Sequence, residues 1–362
     1  MNIDDLNEIE EINPDGVESQ RTIPETEEVP QPLSPLGNSS GWQQNRIDLS
    51  RIEQAVDRIK GELHKVIIGQ DDMIDQLLIA LFAGGHVLLE GVPGIAKTLT
   101  AKSIARSMDV DFSRIQFTPD LMPTDVVGTN VFNMQSSQFS FNKGPVFSNI
   151  VLIDEINRAP AKTQAALFEV MEEFQVTVDG ETYKMDHPFI VIATQNPIEQ
   201  EGTYKLPEAQ LDRFLFKINM HYPSLEEEQS ILRRFRNDFG MRTKEEVQKV
   251  FNAEEVKACR DLVEQVTIKD ELIDYIAAII HNTRNNGDLF LGASPRASLA
   301  VLKTSKAFAA MNGRDFVTPD DIQYVVYPAL NHRIILTPER EMEGFDTRSV
   351  IEEIIKKIEV PR

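Results

Sequence analysis

The sequence predicts an α/β fold built on a parallel sheet, followed by an all-helical C-terminal region. Three observations carry this. Short apolar runs alternate with amphipathic stretches between about residues 86 and 220, a glycine-rich loop joins the first run to a helix, and the strand signals fade past Pro223. Strands that alternate with helices imply parallel pairing, because each crossover lays a helix on a face of the sheet.

The elements follow in chain order. Residues 1–45 carry Asp4, Asp5, Glu8, Glu10, Glu11, Glu25, Glu27 and Glu28 among Pro14, Pro24, Pro30, Pro32 and Pro35. Such a composition has too little apolar surface to offset the ordering entropy, so an acidic disordered tail is expected, with room for a partner-binding peptide. Ile52, Val56, Ile59 and Leu63 then recur at the spacing of a helix with one buried face, over Ile47–Lys65. Strands are expected at His86–Glu90, Ser113–Thr118, Ile150–Asp154, Phe189–Thr194 and Leu215–Met220, which makes a five-stranded sheet. Helices are expected at Lys97–Met108 and Pro160–Phe174, the second burying Leu167, Phe168, Met171 and Phe174. Asn130–Gly144 alternates like a hairpin around Val131, Phe139 and Phe141. Gln175–Met185 reads as a second hairpin, turning at Asp179-Gly180, a pair suited to a type I′ turn.

Beyond residue 222 helices dominate. Ile273, Ile276, Ala277 and Ile280 mark the inner face of one. Ser294, Pro295 and Gly313 bracket another, with a capping serine, a first-turn proline and a glycine past the end. Thr318, Pro319 and Asp321 open a third in the same way. The expected organisation is therefore a tail at 1–45, an α/β domain at 46–222 and a helical domain at 223–362.

Composition narrows the function classes. A hydrophobic fraction of 41% and a charged fraction of 26% are ordinary for a globular protein, and no apolar run is long enough for a bilayer. The N-terminus lacks the basic start and apolar stretch of a secretory signal, so the cytoplasm is expected. A formal net charge of −21 repels phosphate backbones and disfavours general nucleic-acid binding. Cys259 stands alone, which leaves no intrachain disulfide to form. His64, His86, His187, His221, His281 and His332 are scattered without zinc-site spacing, and each is read as structural.

The chemistry is concentrated in two stretches. Gly91-Val92-Pro93-Gly94-Ile95-Ala96-Lys97-Thr98 lies between a strand and a helix, the setting of a phosphate-binding loop. Its glycines let backbone N–H groups converge on phosphate oxygens, and the helix N-terminus adds a favourable dipole. Lys97 is placed for the β and γ phosphates of ATP and Thr98 for Mg²⁺. Ala96 stands where the general motif has a second glycine, and is acceptable if it adopts helical φ and ψ at the helix start. The second stretch, Ile150-Val151-Leu152-Ile153-Asp154-Glu155, is an apolar strand that carries two carboxylates out at its C-terminal end. Asp154 is the candidate for the Mg²⁺ shell, and Glu155 for orienting and deprotonating the attacking water.

With Gln195-Asn196-Pro197 and Leu206-Pro207-Glu208-Ala209-Gln210-Leu211-Asp212-Arg213-Phe214 added, the pattern resembles the MoxR family of AAA+ ATPases, in the helix-2-insert clade. The resemblance spans about Val66 to the C-terminus and absorbs Ala96, since Gly-x-Pro-Gly-x-Ala-Lys-Thr is that family's loop. It implies a P-loop AAA+ core with a helical lid. It also implies roles for single residues: Asn196 as the polar sensor that helps place the water, Arg213 as an arginine finger for a neighbouring subunit's ATP, and Arg296 as a second sensor on the lid. Gly69 and Gln70 fall in the segment that lines the base and ribose, and Leu99 continues the nucleotide-binding loop into its helix. The hairpins of such relatives point toward the ring pore or substrate.

The family further implies ATP and Mg²⁺ as cofactors and a homo-oligomeric, hexameric ring that remodels or activates client proteins. Its partners carry von Willebrand factor A (VWA) domains. Two other readings stay open: a DNA-translocating motor, opposed by the acidic charge, and an ATP-binding switch without turnover, opposed by the presence of Glu155, Asn196, Arg213 and Arg296.

Overall fold

The structure, a computed structural model, describes residues 47–92, 94–135, 137–197, 204–236 and 247–361. The expected tail at 1–45 and Pro93 of the phosphate loop lie outside them. Helix α1 (Ser50–His64) buries the Ile52, Val56, Ile59 and Leu63 stripe, and α2 (Asp71–Ala83), apolar on most sides, is buried along most of its length. There follow β1 (His86–Glu90), α3 (Lys97–Ser107), β2 (Met108–Asp109), β3 (Phe112–Gln116), α4 (Pro123–Val127), β4 (Gly128–Asn133), β5 (Gln138–Lys143), β6 (Ile150–Asp154) and α5 (Ala161–Glu173). Next come β7 (Gln175–Val178), β8 (Glu181–Lys184), β9 (Ile190–Gln195), α6 (Glu208–Leu211), β10 (Phe214–Asn219) and α7 (Leu225–Phe235). The chain closes with β11 (Phe251–Asn252), α8 (Ala253–Gln265), α9 (Asp270–Arg284), β12 (Leu289–Leu291), α10 (Pro295–Met311), α11 (Pro319–Leu330), β13 (Ile335–Leu336), α12 (Pro338–Met342) and α13 (Thr347–Lys357).

Five strands form one sheet in the order β10-β1-β9-β6-β3, and every pairing is parallel. Because side chains alternate along a strand, each strand feeds two cores. Val87, Leu89, Ile150, Leu152, Ile190 and Ile192 face one side, and Leu88, Val151, Ile153, Val191 and Ala193 face the other. The second side is covered by Leu167, Phe168 and Met171 of α5. On the first side the apolar cluster continues through α1 and α2 into α8, α9, α10 and α11 without a break, and α10 packs directly on α2. The division between cores thus follows the plane of the sheet, and residues 46–362 cluster into one unit.

His86 shows how a polar group is accommodated in this interior. It is buried beside Phe174 and Phe189, its Nε2 lies 3.1 Å from the Met171 carbonyl, and its Nδ1 accepts the Val191 N–H at 3.0 Å. Both ring nitrogens are used by the neutral Nε2–H form, and burial pushes the pKa down to about 4.

Both hairpins form, and they touch. β4 pairs with β5 and β7 with β8, and Asp179 and Gly180 take the positive φ angles (51° and 87°) that a type I′ turn requires. Phe141 stacks on Tyr183 at 4.2 Å between centroids, and Asn130 Nδ2 donates to Asp179 Oδ2 at 2.6 Å. Phe132, Met134 and Phe139 stand exposed toward the β4–β5 turn.

Two local expectations are corrected. The buried face of α9 consists of Leu272, Tyr275, Ile276, Ile279, Ile280 and Thr283, while Ile273 and Ala277 are exposed. Four apolar residues at helical spacing fit two overlapping stripes, and the one containing Tyr275 and Ile279 is the one that meets α10 and α13. Ser294 occupies the N-cap position of α10 and Gly313 the left-handed position past its end (φ 68°), yet the serine makes no cap. Its hydroxyl donates instead to Asp212 Oδ2 at 2.9 Å, where a partly buried carboxylate is the stronger acceptor.

Candidate active site at the strand ends

The loop after β1 and the ends of β6 and β9 meet at the C-terminal edge of the sheet, where open α/β sheets hold ligands. Gly94, Ala96, Lys97, Thr98, Leu99, Arg114, Gln116, Asp154, Glu155, Thr194 and Asn196 line a cleft of about 440 Å³ there. Of the expected loop residues, Gly91, Val92 and Ile95 do not line this cleft. Gly91 is fixed by packing, since a Cβ on it would stand 2.4 Å from Ile95 Cδ1 and 3.0 Å from Met220 Cβ. Ile95 is buried and Val92 packs against the core.

Ala96 departs from expectation. Its φ of 62° and ψ of 17° are left-handed, not those of a right-handed helix start. The reason lies in what the loop must do. Positive φ at Gly94 (88°) and at Ala96 turns successive peptide N–H groups toward one point, which makes an anion-binding concavity ahead of α3. Left-handed geometry costs an alanine about 1–2 kcal/mol, which the loop carries to keep that shape.

Lys97 Nζ donates to the carbonyls of Gly91 (2.6 Å) and Gln195 (3.3 Å), which holds the ammonium across the mouth of the loop. Burial draws its pKa below the usual lysine range, opposed by the nearby carboxylates of Asp154, Glu155 and Glu90. Thr98 Oγ1 donates to Asp154, 3.3 Å from Oδ1. A hydroxyl and a carboxylate side by side are the hard oxygen donors that Mg²⁺ takes, so the residues fit that ion.

Asp154 is buried, and its carboxylate also accepts Arg114 Nε at 2.6 Å and the Thr194 hydroxyl at 3.3 Å. Thr194 Oγ1 in turn accepts the Glu155 N–H at 3.0 Å, which fixes the strand end where Glu155 turns left-handed (φ 58°). That turn presents the Glu155 side chain to the cleft. Its Oε2 accepts Gln116 Nε2 at 2.9 Å and lies 3.2 Å from Arg158 Nε. The parallel register that sets Gln116 opposite Asp154 is what brings the amide within reach. Asn196 lines the same cleft just past β9. Arg114, Gln116, Arg158 and Thr194 were not singled out from sequence. Arg114 and Gln116 do share the i, i+2 spacing of one strand face, a period-two signal that points both toward the same side.

Gly69 and Gln70 lie apart from this cleft. Both have positive φ, and Gln70 lines a second cavity of about 440 Å³ with His221, Tyr222, Asn219 and Tyr327. Its amide donates to the His221 carbonyl at 3.1 Å. Gly69 is pressed by Glu227, whose Oε1 would be 1.9 Å from a Cβ there.

Arg213 and Arg296 are also outside the cleft, and they are together. Arg213 Nη2 lies 2.7 Å from Glu172 Oε2, and Arg296 Nη2 lies 2.5 Å from Glu172 Oε1, so one carboxylate in the last turn of α5 holds both. Arg213 also donates to the Phe168 carbonyl, while its Nε is buried without a partner. The adjacent Asp212 binds the buried Arg333 at 2.7 Å, and Arg333 further donates to the carbonyls of Phe214 (2.6 Å), Asp212 (3.0 Å) and Leu215 (3.1 Å).

Comparison with known proteins agrees with this arrangement. A family model described as the ATPase family associated with various cellular activities (AAA) matches residues 86–216, and an AAA lid domain model matches residues 281–354. The chain is 40% identical to the chaperone MoxR1 of Mycobacterium tuberculosis over 91% of this chain and 86% of that protein. It is 46% identical to the uncharacterized protein YeaC of Bacillus subtilis, over 83% of this chain and 92% of the relative. A crystal structure from Cytophaga hutchinsonii, described provisionally as an ATPase, superposes with a TM-score of 0.80 at 46% identity, covering 87% of this chain and 97% of the other.

Proposed function

The chain belongs to the MoxR family of AAA+ ATPases, and from that premise we propose that it binds and hydrolyses Mg-ATP as a hexameric ring. The cycle serves to remodel or activate client proteins with VWA-domain partners. The name of the MoxR1 relative supports the chaperone part of this reading, and the cleft supports the hydrolytic part.

The observation that carries the reading is Glu155, turned into the cleft that Lys97, Thr98, Asp154 and Asn196 share and restrained there by Gln116 and Arg158. In-line attack on a γ-phosphate needs an oriented water and a base, and needs little covalent work from the protein. Glu155 orients that water and takes its proton, and Asn196 holds the water from the neighbouring strand end. Lys97 exchanges the carbonyls of Gly91 and Gln195 for phosphate oxygens, which brings a desolvated charge onto an anion. The loop N–H groups from Gly94 to Thr98 cradle the phosphates. Thr98 and Asp154 would hold Mg²⁺, which when bound neutralises charge developing on the β and γ oxygens. Gly69 and Gln70, beside His221 and Tyr222, face the base side of the nucleotide. Neither Arg213 nor Arg296 lines its own chain's cleft, which supports a role toward the ATP of the next subunit, where a supplied arginine is worth about 10³- to 10⁵-fold in rate.

Glu155→Gln tests this directly. General-base removal lowers turnover by about 10² to 10⁴, so phosphate release should fall by that factor while ATP affinity, measured by calorimetry, is retained. Unchanged phosphate release by the variant would overturn the assignment.

A further inference from the structure

We propose that Glu172 is a positioning residue for ATP hydrolysis: it sets the guanidinium groups of Arg213 and Arg296 side by side as one two-arginine unit for the neighbouring subunit's γ-phosphate. This rests on the reading of those arginines as acting between subunits.

The geometry gives each arginine one oxygen of the same carboxylate, at 2.7 Å and 2.5 Å. The two come from separate parts of the chain, Arg213 from the segment before β10 and Arg296 from the first turn of α10. Two guanidinium groups brought this close repel each other, and a cation at a helix N-terminus opposes the dipole as well. A carboxylate between them removes both objections and leaves the unit with a net positive charge for an anion. Glu172 sits in the last turn of α5, where the helix end also favours cations, and the Phe168 carbonyl from the turn before takes a further Arg213 donor.

The backbones behind the two side chains are registered as well. Ser294, two residues before Arg296, donates to Asp212, the residue before Arg213. Arg333 then fixes Asp212 through its carboxylate and carbonyl. Such a brace matters because an arginine displaced by about 1 Å from productive geometry forfeits much of its effect. Arg296 remains half exposed (53% of its side chain), so its outer nitrogens stay available, whereas Arg213 is more enclosed (28%). Glu172 itself does not line the nucleotide cleft.

Glu172→Ala in the full chain is expected to lower kcat for ATP at least tenfold with KM for ATP within twofold. Glu172→Asp, which keeps the carboxylate, should recover more of the loss than Glu172→Gln. The decisive measurement mixes subunits. Lys97→Ala protein has no working phosphate loop but intact arginines, so added to Glu172→Ala protein it should raise turnover several-fold above the sum of the two. Glu155→Gln mixed with Lys97→Ala should stay at that sum, because both lesions lie in the same chain's cleft. A misfolded or cis-acting Glu172 variant gains nothing from such a neighbour. Wild-type or faster turnover by Glu172→Ala, or no rescue by Lys97→Ala while Arg213→Ala is rescued, overturns the proposal and leaves the shared-site reading intact. Failure of Arg213→Ala to be rescued overturns both.

Discussion

Acid should weaken this fold through His86, by an amount the surroundings of the ring define. An unfolded histidine titrates at about 6.5, whereas burial holds the folded ring at about 4. Between these values the unfolded chain binds a proton that the folded chain refuses, so stability falls as pH drops through 6.5 and levels off near 4. Protonation would also put a hydrogen on Nδ1, which now accepts the Val191 N–H. A gap near 2.5 units corresponds to about 3 kcal/mol in full, of which about 2 kcal/mol is lost between pH 7 and pH 5. The perturbation is His86→Gln, which keeps a donor and an acceptor but does not titrate. Urea denaturation at pH 7, 6 and 5 should then show the variant losing about 2 kcal/mol less than the parent over that interval. His332, also buried with a pKa well below normal, contributes equally to both proteins and cancels from the difference. An equal loss in parent and variant would refute the reasoning, because it would mean the ring accepts its proton inside the fold.

Arg333→Ala should cost about 2–4 kcal/mol, since it removes donors from the partly buried Asp212 carboxylate and from several carbonyls of the 212–215 segment; the shift in urea midpoint measures it. At Ala96, glycine relieves left-handed strain but adds freedom to the unfolded chain, so Ala96→Gly should leave stability unchanged or raise it by up to about 1.5 kcal/mol and leave ATP affinity intact. Ala96→Val, β-branched at φ 62°, should lose about 1–2 kcal/mol and weaken ATP binding measured by calorimetry.

The sheet was legible because a strand buried on both faces is a short, nearly continuous apolar run bounded by turns, and β1, β6 and β9 are all of that kind. Lys97, Thr98, Asp154 and Glu155 were legible because strand ends and helix starts place them, and these are local features. What was missed depends on neighbours. Ala96 reads as right-handed in a window of sequence and is left-handed in the loop, where with Gly94 it forms the concave nest of N–H groups ahead of α3. Ser294 reads as a cap, and only the approach of Asp212, 82 residues away, redirects its hydroxyl. Gln116 and Glu172 carry no motif at all. Their placement follows from strand order in one case and from where α5 ends against α10 in the other. For α9, spacing alone could not choose between stripes that differ by one residue, since both satisfy a helical period.

The apolar cluster that runs from the sheet into α8–α11 bears on how far the C-terminal helices can move. A lid joined to its base by a thin hinge can swing when a nucleotide is cleaved. Here swinging would part α10 from α2, two helices whose buried apolar residues belong to one cluster, at a cost that grows with every square ångström exposed. The described residues of α1, α2 and α8–α11 therefore share one core with the sheet, and any swing of the C-terminal helices has to open part of it.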